Sequence, residues 1–326
     1  GMETLIYELL KHGVPMDIDA PTVTGTTWRE RLVMTDNLPA DNVKDNPVIL
    51  SKPRRPFSGV DVLKGNFFET AVVKISGMST QQLDEFDKKV AFVLYFENED
   101  DANRHLLDIE LLSKIRDARK FSHENMLAQL RENAPERYDE WKQLDYDTLF
   151  DKMVDEHVLK IAIIISGQGP EAFGMPEMFT PMQHINANRK LRRLVTLISD
   201  GRYSGVSYGA AIGHMTPEAK KDGGILYLQT GDLLYLNFRE REIQFIDDEA
   251  LRNGKREFRF DHIREARKEI AKERLETIKK RQRRVAASNR MIGHTDAANG
   301  VVPLAVAEIA ELDYKKDVLL PNNVGK

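Results

Sequence analysis

The sequence predicts a mixed α/β domain with a helical insertion and a long C-terminal helix. Three observations carry this. Runs of β-branched and aliphatic residues of strand length recur between residues 60 and 246. Charged, helix-prone blocks separate them, and the last two runs read as a hairpin. With 326 residues, 41 % of them apolar, there is ample chain for a sizeable core, and length alone suggests about two domains.

Residues 1–60 read as an extended N-terminal segment. Leu5, Leu9 and Leu10 sit near helical spacing, and His12-Gly13 followed by Pro15 stops that short helix. Pro21, Pro39, Pro47, Pro53 and Pro56 then punctuate chain with few periodic apolar runs, which drapes over a neighbour rather than burying surface of its own. The core domain spans residues 61–250. Thr70–Ile75 (TAVVKI) and Val90–Phe96 (VAFVLYF) read as strands, and Asn98–Asp108 as a helix with an acidic first turn. A charged block over about 109–155, containing Trp141, interrupts the strand series as a helical insertion. His157–Ser166 (HVLKIAIIIS) is nearly continuous aliphatic, as expected of a strand buried on both faces, and Arg193–Asp200 repeats the pattern. Leu226–Gln229, then Leu233–Phe238 with Glu242–Ile246, read as antiparallel strands, the last pair joined by a tight Arg-Glu turn.

Residues 251–326 form a C-terminal helical extension in which Asp261–Ala286 is one long helix. Arg252–Arg284 holds 14 Lys/Arg against 6 Asp/Glu, a local excess of +8. Glu265–Lys268, Glu269–Lys272 and Glu276–Lys280 stand three or four residues apart, the spacing of a solvated, ion-paired helix. Between Arg264 and Arg284 no aromatic residues interleave with the basic ones and no recognised module is present, so a nucleic-acid partner is not expected. The tail near VVPLAVAEIA is expected to dock back on the body.

Composition closes several functional classes. The chain has no cysteine, which excludes disulfides, thiolate zinc sites, a cysteine nucleophile and any iron–sulfur cluster held by its own thiolates. A formal charge of −4 argues against dependence on a global basic field. The eight histidines form no HxH or HxxxH pair, so a histidine metal site is not expected. The longest apolar stretches, Ile161–Ile165 and Val301–Val306, fall far short of the roughly 20 residues that span a bilayer. The first residues carry no signal-peptide pattern. A cytoplasmic protein with no membrane partner is expected.

Candidate chemistry concentrates between Ser166 and Ala219. SGQGP at 166–170 and GMPEM at 174–178 follow a buried strand, where backbone amides are presented to ligands. Glu177, just after Pro176, reads as lying in a first helical turn. Its carboxylate suits either the helix dipole or a hard cation such as Mg²⁺. DGRYSG at 200–205 follows the next buried strand. There Ser204, between Gly201 and Gly205, is either a turn residue or a nucleophile or base in need of activation. No GxSxG elbow is present. GVSYGAAIG at 205–213 suits a phosphate or carboxylate cradle without matching a Walker or dinucleotide pattern. In GHMTPEA at 213–219, His214 and Glu218 could pair as acid and base or serve as ligands. Thr216-Pro217-Glu218 also reads as an N-cap with proline at N1, the role we favour.

In combination these loops are far more specific. GMPEMFTP at 174–181, DGRYSG at 200–205 and GHMTPEA at 213–219, preceded by Val62-Leu-Lys-Gly-Asn66 and Ala71-Val-Val-Lys74, resemble the C-terminal half of the IlvD/Edd dehydratases. That family includes dihydroxy-acid, phosphogluconate and aldonate dehydratases. Asp19-Ala-Pro-Thr-Val-Thr-Gly25 resembles its segment leading into this half, so the resemblance covers about residues 5–250, broken by the insertion. SGVSYG at 204–209 and the tail Asp296-Ala-Ala-Asn-Gly300-Val-Val-Pro-Leu-Ala-Val-Ala are similar to the longer, xylonate-type aldonate dehydratases.

The resemblance implies a swivelling β/α, barrel-like domain and the dehydration of a 2,3-dihydroxy acid, such as a sugar acid, to a 2-keto acid. It implies Ser204 as the catalytic base, Glu177 as a Mg²⁺ ligand shared with the other half, and Ser207, Gly205 and Asp200 beside the substrate. In the family an Fe–S cluster acts as Lewis acid on the departing hydroxyl, and Mg²⁺ binds the carboxylate end. The cluster cysteines and most Mg²⁺ ligands belong to an N-terminal half that this sequence lacks. Neither cofactor is expected on this chain alone, and the isolated chain is expected to be inactive. It would be one subunit of a split enzyme with a separate N-terminal half, a truncated gene product or an excised domain, and a homo-oligomer. The alternative is a non-catalytic module that binds small acids or regulates.

Overall fold

A computed structural model describes residues 2–35, 49, 59–203, 209–288, 295–296 and 302–303. The chain forms two compact units, residues 1–57 and 58–326.

In the first unit a helix over Met2–Lys11 ends where Gly13 takes a positive φ of 72°, as the leucine spacing predicts. The chain beyond it is not wholly irregular, because a second helix spans Trp28–Thr35. It starts in a capping box. Glu30 Oε2 accepts from Thr27 N at 2.7 Å, and Thr27 Oγ1 accepts from Glu30 N at 3.2 Å. Arg31 ion-pairs with Glu3 of the first helix. Pro39, Pro47, Pro53 and Pro56 lie outside the described residues.

The second unit is built on an eight-stranded sheet. Its strands are β1 (Asp61–Leu63), β2 (Thr70–Val73), β3 (Lys89–Phe96), β4 (Ile161–Ile165), β5 (Val195–Ser199), β6 (Ala211–Thr216), β7 (Leu233–Asn237) and β8 (Glu242–Ile246), in the order β1-β2-β6-β5-β4-β3-β7-β8. β3 to β6 are mutually parallel and the flanking pairs antiparallel. The aliphatic runs become the central parallel strands, and every residue of β4 and β5 is buried. Alternation then divides them. Ile161, Ile163 and Ile165 enter one apolar cluster, Ala162 and Ile164 the other.

The two outer strands meet. Lys64, directly after β1, bridges Glu242 of β8, donating to Arg241 O and accepting from Ile243 N, both at 2.9 Å. Two residues on, the Asn66 side chain imitates a strand: Oδ1 accepts from Phe245 N at 2.7 Å, and Nδ2 donates to Phe245 O at 2.9 Å. Gly65 between them is obligatory, since a Cβ there would lie 2.0 Å from Ile243 O. The Leu-Lys-Gly-Asn motif is therefore the seam of a barrel-like sheet. The enclosed cluster draws a side chain from every strand, from Leu63 of β1 to Phe245 of β8.

The block at 109–155 is helical, with helices at Leu111–Asp117, His123–Asn133, Pro135–Trp141 and Tyr146–Asp155. It lies within the crossover between parallel neighbours β3 and β4, a connection that antiparallel strands would not need. Met126, Leu149 and Phe150 pack in the outer cluster with Phe92 and Ile161, and Phe121 stacks on Phe92 at 4.2 Å.

Several sequence expectations are corrected. Leu226–Gln229 is not a strand: Gly224–Tyr227 is a 3₁₀ turn. Gly224 presses on Phe67 O, which a Cβ would approach to 1.9 Å. Leu226 O and Leu228 O accept from Arg274 Nη1 instead of a ladder partner, at 2.6 and 2.7 Å. His157 has a φ of 57°, so β4 begins only at Ile161. Half of the small-residue run at 205–213 leads into β6, and β1 is a further strand not expected from the sequence.

The long helix is two, Asp261–Ala266 and Lys268–Ser288, broken at Arg267. Arg267 forks onto Asp232 at 2.6 and 2.7 Å and donates to Tyr227 O at 2.9 Å. One face of this helix is docked rather than solvated. Ala271 and Ile278 are buried in the enclosed cluster, and Arg267, Arg274 and Arg281, seven residues apart, hydrogen-bond to the body. The opposite face carries the expected pairs Glu265–Lys268 (2.6 Å) and Glu269–Lys272 (3.8 Å), with Glu276 paired to Lys279 at 2.7 Å. Most of the tail expected to dock lies outside the described residues; Thr295–Asp296 pairs with Val302–Pro303. No helix among the described residues is long and apolar enough to cross a membrane.

Candidate functional site

Phe96, Ile165 and Ser199 stand side by side at the ends of β3, β4 and β5. Everything that follows these strands therefore emerges at one edge, the position at which parallel sheets present loops to ligands.

Asp200 organises that edge. It has no solvent exposure. Its Oδ1 accepts from Gln168 N at 2.8 Å, and its Oδ2 accepts from Gly167 N at 3.2 Å and Ala219 N at 3.0 Å. One carboxylate thus ties together the loop after β4, the end of β5 and the segment after β6. Burial pushes its pKa up, and the donated backbone amides of Ala219 and Gln168 oppose the shift.

Glu218 holds the neighbouring turn. Its carboxylate accepts from Glu171 N (3.0 Å) and Ala172 N (3.1 Å), in the first turn of the short helix Pro170–Phe173. Burial, followed by the charge of Asp200, raises its pKa to about 7. Proline at N1 of a helix is not what forms here. Thr216 ends β6, its hydroxyl 2.9 Å from that of Thr70, and the 3₁₀ turn Ala219–Lys221 starts after Glu218. The Glu218 side chain serves a different segment, 47 residues away in sequence. The proline pattern concealed that role.

Glu177 is not in a helical turn either. The next helix starts at Phe179, and Glu177 sits before it in extended chain, in a parallel bridge with Arg202. Met178 N donates to Arg202 O at 2.8 Å and Arg202 N to Pro176 O at 3.3 Å. The GMPEM and DGRY segments therefore run side by side. Glu177 is half-buried, and its carboxylate has no hydrogen-bond or ion-pair partner among the described residues. Ser204, Gly205 and Ser207 lie outside the described residues, which resume at Gly209 with its amide donating to Gly77 O at 2.9 Å.

His214 is half-buried on β6, and its amide donates to Gly201 O at 2.8 Å. Burial, then the charge of Arg202, lowers its pKa. No hydrogen bond joins it to Glu218 among the described residues, so the two form no acid–base pair there.

Residues 130–290 match the family described as dihydroxy-acid/6-phosphogluconate dehydratase C-terminal. The chain is 31 % identical over 306 residues to a protein of Oleidesulfovibrio alaskensis named dihydroxy-acid dehydratase, covering 93 % of this chain and 42 % of that one. The chain belongs to the dihydroxy-acid/6-phosphogluconate dehydratase family. Dihydroxy-acid dehydratase 2 of Acinetobacter baylyi is 31 % identical over 245 residues, 74 % of this chain and 34 % of that one. Dihydroxy-acid dehydratase of Streptococcus mutans is 28 % identical over 255 residues, 78 % of this chain and 35 % of that one. The chain thus spans about a third to two fifths of these curated relatives, and the family match makes it a dehydratase C-terminal domain.

The residues of this dehydratase domain can be tested against the two cofactors that the family implies. An iron–sulfur cluster does not fit, because the 326 residues include no cysteine. Mg²⁺ fits only in part. Glu177 offers one hard oxygen ligand, and among the described residues no group of three or more His, Asp or Glu could hold a metal ion.

Proposed function

We propose that this domain forms one wall of the active site of an enzyme converting a 2,3-dihydroxy acid to a 2-keto acid. One observation carries the reading: the bridge between Glu177 and Arg202, two residues before Ser204 in sequence, holds a carboxylate that has no partner among the described residues. Ser204 takes the proton from C2, whose electron pair forms the C2–C3 double bond as the C3–O bond breaks. The hydroxyl leaves as water, and the resulting enol tautomerises to the keto acid.

A serine hydroxyl is a base only as its alkoxide. Glu177 would be one ligand of a Mg²⁺ ion shared with the rest of the enzyme, which would supply the positive charge that such an alkoxide needs. Ser207 and Gly205 are substrate-binding residues in this reading, and Asp200 acts on the substrate through the loops it holds. For the hydroxyl to depart as water it needs a proton donor or Lewis acid, and this chain has no cysteine with which to hold an iron–sulfur cluster for that purpose. The finer substrate class is a sugar acid, on the strength of SGVSYG and the Asp296–Ala307 tail. A core domain of 61–250 between two extensions, a cytoplasmic homo-oligomer and a separate N-terminal half belong to the same proposal.

The test is 2-keto acid formation from aldonates and branched dihydroxy acids, by the chain alone and combined with a cluster-loaded N-terminal half. We expect activity only in combination, abolished by Ser204→Ala and Glu177→Gln. Turnover by the chain alone overturns the shared-site chemistry, and an inactive combination that still binds acids favours the non-catalytic module.

A further inference from the structure

Glu177 and Arg202 are partners in a parallel bridge, so their side chains leave the paired segments on the same face. Their successors leave on the other face. Met178 is buried in the outer apolar cluster, and Tyr203 packs against that cluster. Alternation therefore turns Glu177 and Arg202 away from the core together. A third segment closes up on this pair: His214 N donates to Gly201 O at 2.8 Å, and a Cβ at Gly213 would lie 2.7 Å from the Tyr203 ring.

Opposite charges on neighbouring segments commonly pair in this chain, as Arg29 does with Asp19 and Arg193 with Glu85. These two do not. Arg202 is exposed, and neither its guanidinium nor the Glu177 carboxylate has a hydrogen-bond or ion-pair partner among the described residues. An exposed ion pair gains little, so both groups are free to take another partner at small cost. His214 is a third polar group whose side chain has no hydrogen-bond partner among the described residues. It holds a positive φ of 52°, a costly setting for a residue with a Cβ. Burial, then the Arg202 charge, lowers its pKa. The guanidinium is thus felt at His214, beside an imidazole that stays neutral, with no carboxylate in ion-pair reach to offset it.

We propose that Arg202 anchors the carboxylate of the substrate. A guanidinium presents two parallel N–H donors to the two oxygens of a carboxylate, a match that an ammonium or a neutral donor lacks. The proposal rests on the dehydratase reading above and names the residue that holds the acid end of that substrate. It also gives the missing ion pair a purpose. Paired with each other, Arg202 and Glu177 would occupy one another; unpaired, one is open to an anion and the other to a cation. A polyol with the same hydroxyls but no carboxylate leaves Arg202 without its partner and is refused.

The experiment titrates the isotope-labelled full chain, without added metal, with D-glycerate, a minimal 2,3-dihydroxy acid, and with glycerol. Backbone amides and the Arg202 Nε–H resonance are followed. Glycerate is expected to shift that Nε–H together with the amides of 177–178 and 200–203, and glycerol to shift none of them. Arg202→Gln should weaken glycerate binding about ten-fold or more, the scale of a charge-assisted hydrogen bond. Arg202→Lys keeps the charge without the fork and should recover only part of that loss. Arg104→Gln removes another exposed charge, one paired only with Asp101 three residues before it, and should leave the affinity unchanged. Unshifted amides in β3 and β4 show that each variant folds. An equal loss in Arg104→Gln, or full recovery by lysine, overturns the anchor. So does glycerate binding that shifts these amides yet survives Arg202→Gln; in that case the dehydratase reading stands. A chain that binds no glycerate also overturns the anchor, and the dehydratase reading then rests on the activity measurement alone.

Discussion

A methyl group placed on Gly169 would lie 2.1 Å from Oε2 of Glu218. The glycine is not there for backbone freedom, since its φ of −62° suits any residue. It leaves room for a carboxylate to reach the amides of Glu171 and Ala172. Gly169→Ala should therefore displace Glu218 and destabilise the domain by about 2–3 kcal/mol. Urea unfolding checks this: the midpoint should fall at unchanged slope.

Glu218 also makes stability depend on pH. Its folded pKa of about 7 lies above its ordinary 4.5, so the folded chain holds that proton more tightly than the unfolded one. The resulting stabilisation is complete below pH 4.5 and is lost as pH rises through 7. The loss is on the order of 2–3 kcal/mol. Glu218→Gln should flatten the decline without abolishing it, because Asp200 is raised in the same direction. Unfolding curves between about pH 5 and pH 8 read this out; an unchanged slope would remove Glu218 as its source.

Asp200→Asn exchanges an acceptor for an amide group that faces backbone donors. With three backbone N–H groups converging on this carboxylate, the variant should lose about 3 kcal/mol. Hydrogen exchange should accelerate selectively at Gly167, Gln168 and Ala219. Uniform acceleration across the sheet would instead mean general loosening.

Arg267 and Asp232 form a largely buried ion pair, with side-chain exposures of 16 % and 9 %. Removing one partner strands the other, so Arg267→Met should cost about 3 kcal/mol. The helix beyond residue 267 should also become open to limited proteolysis.

Much of this architecture can be read from the chain, for reasons that differ by element. β3, β4 and β5 announce themselves because parallel strands buried on both faces must be aliphatic throughout, and the β7–β8 hairpin because its partners are close in sequence. β1 escapes notice at three residues, and β6 because Gly213 and His214 break its pattern. The docked face of the C-terminal helix was written as arginines at seven-residue intervals with Ala271 and Ile278 between. Basic residues suggest solvent, yet here they hydrogen-bond to carbonyls and to Asp232. The sequence marks Glu177 and Asp200 as site candidates, but not the bridge to Arg202 or the grip on Ala219. Those depend on chain that arrives from 19 to 25 residues away. The roles of Ser204, Gly205 and Ser207 rest on the resemblance and fall to the activity measurement.

The seam at Lys64–Asn66 limits how this domain can associate. In an open sheet, β8 would offer a row of free amides and carbonyls on which a foreign strand could template itself. Here the Arg241 carbonyl and the Ile243 amide are already taken by Lys64, and both backbone groups of Phe245 by the Asn66 side chain. A companion subunit consequently finds no strand of β8 to extend. Recognition is left to side chains and loops, which can open and close over a substrate without unzipping a sheet.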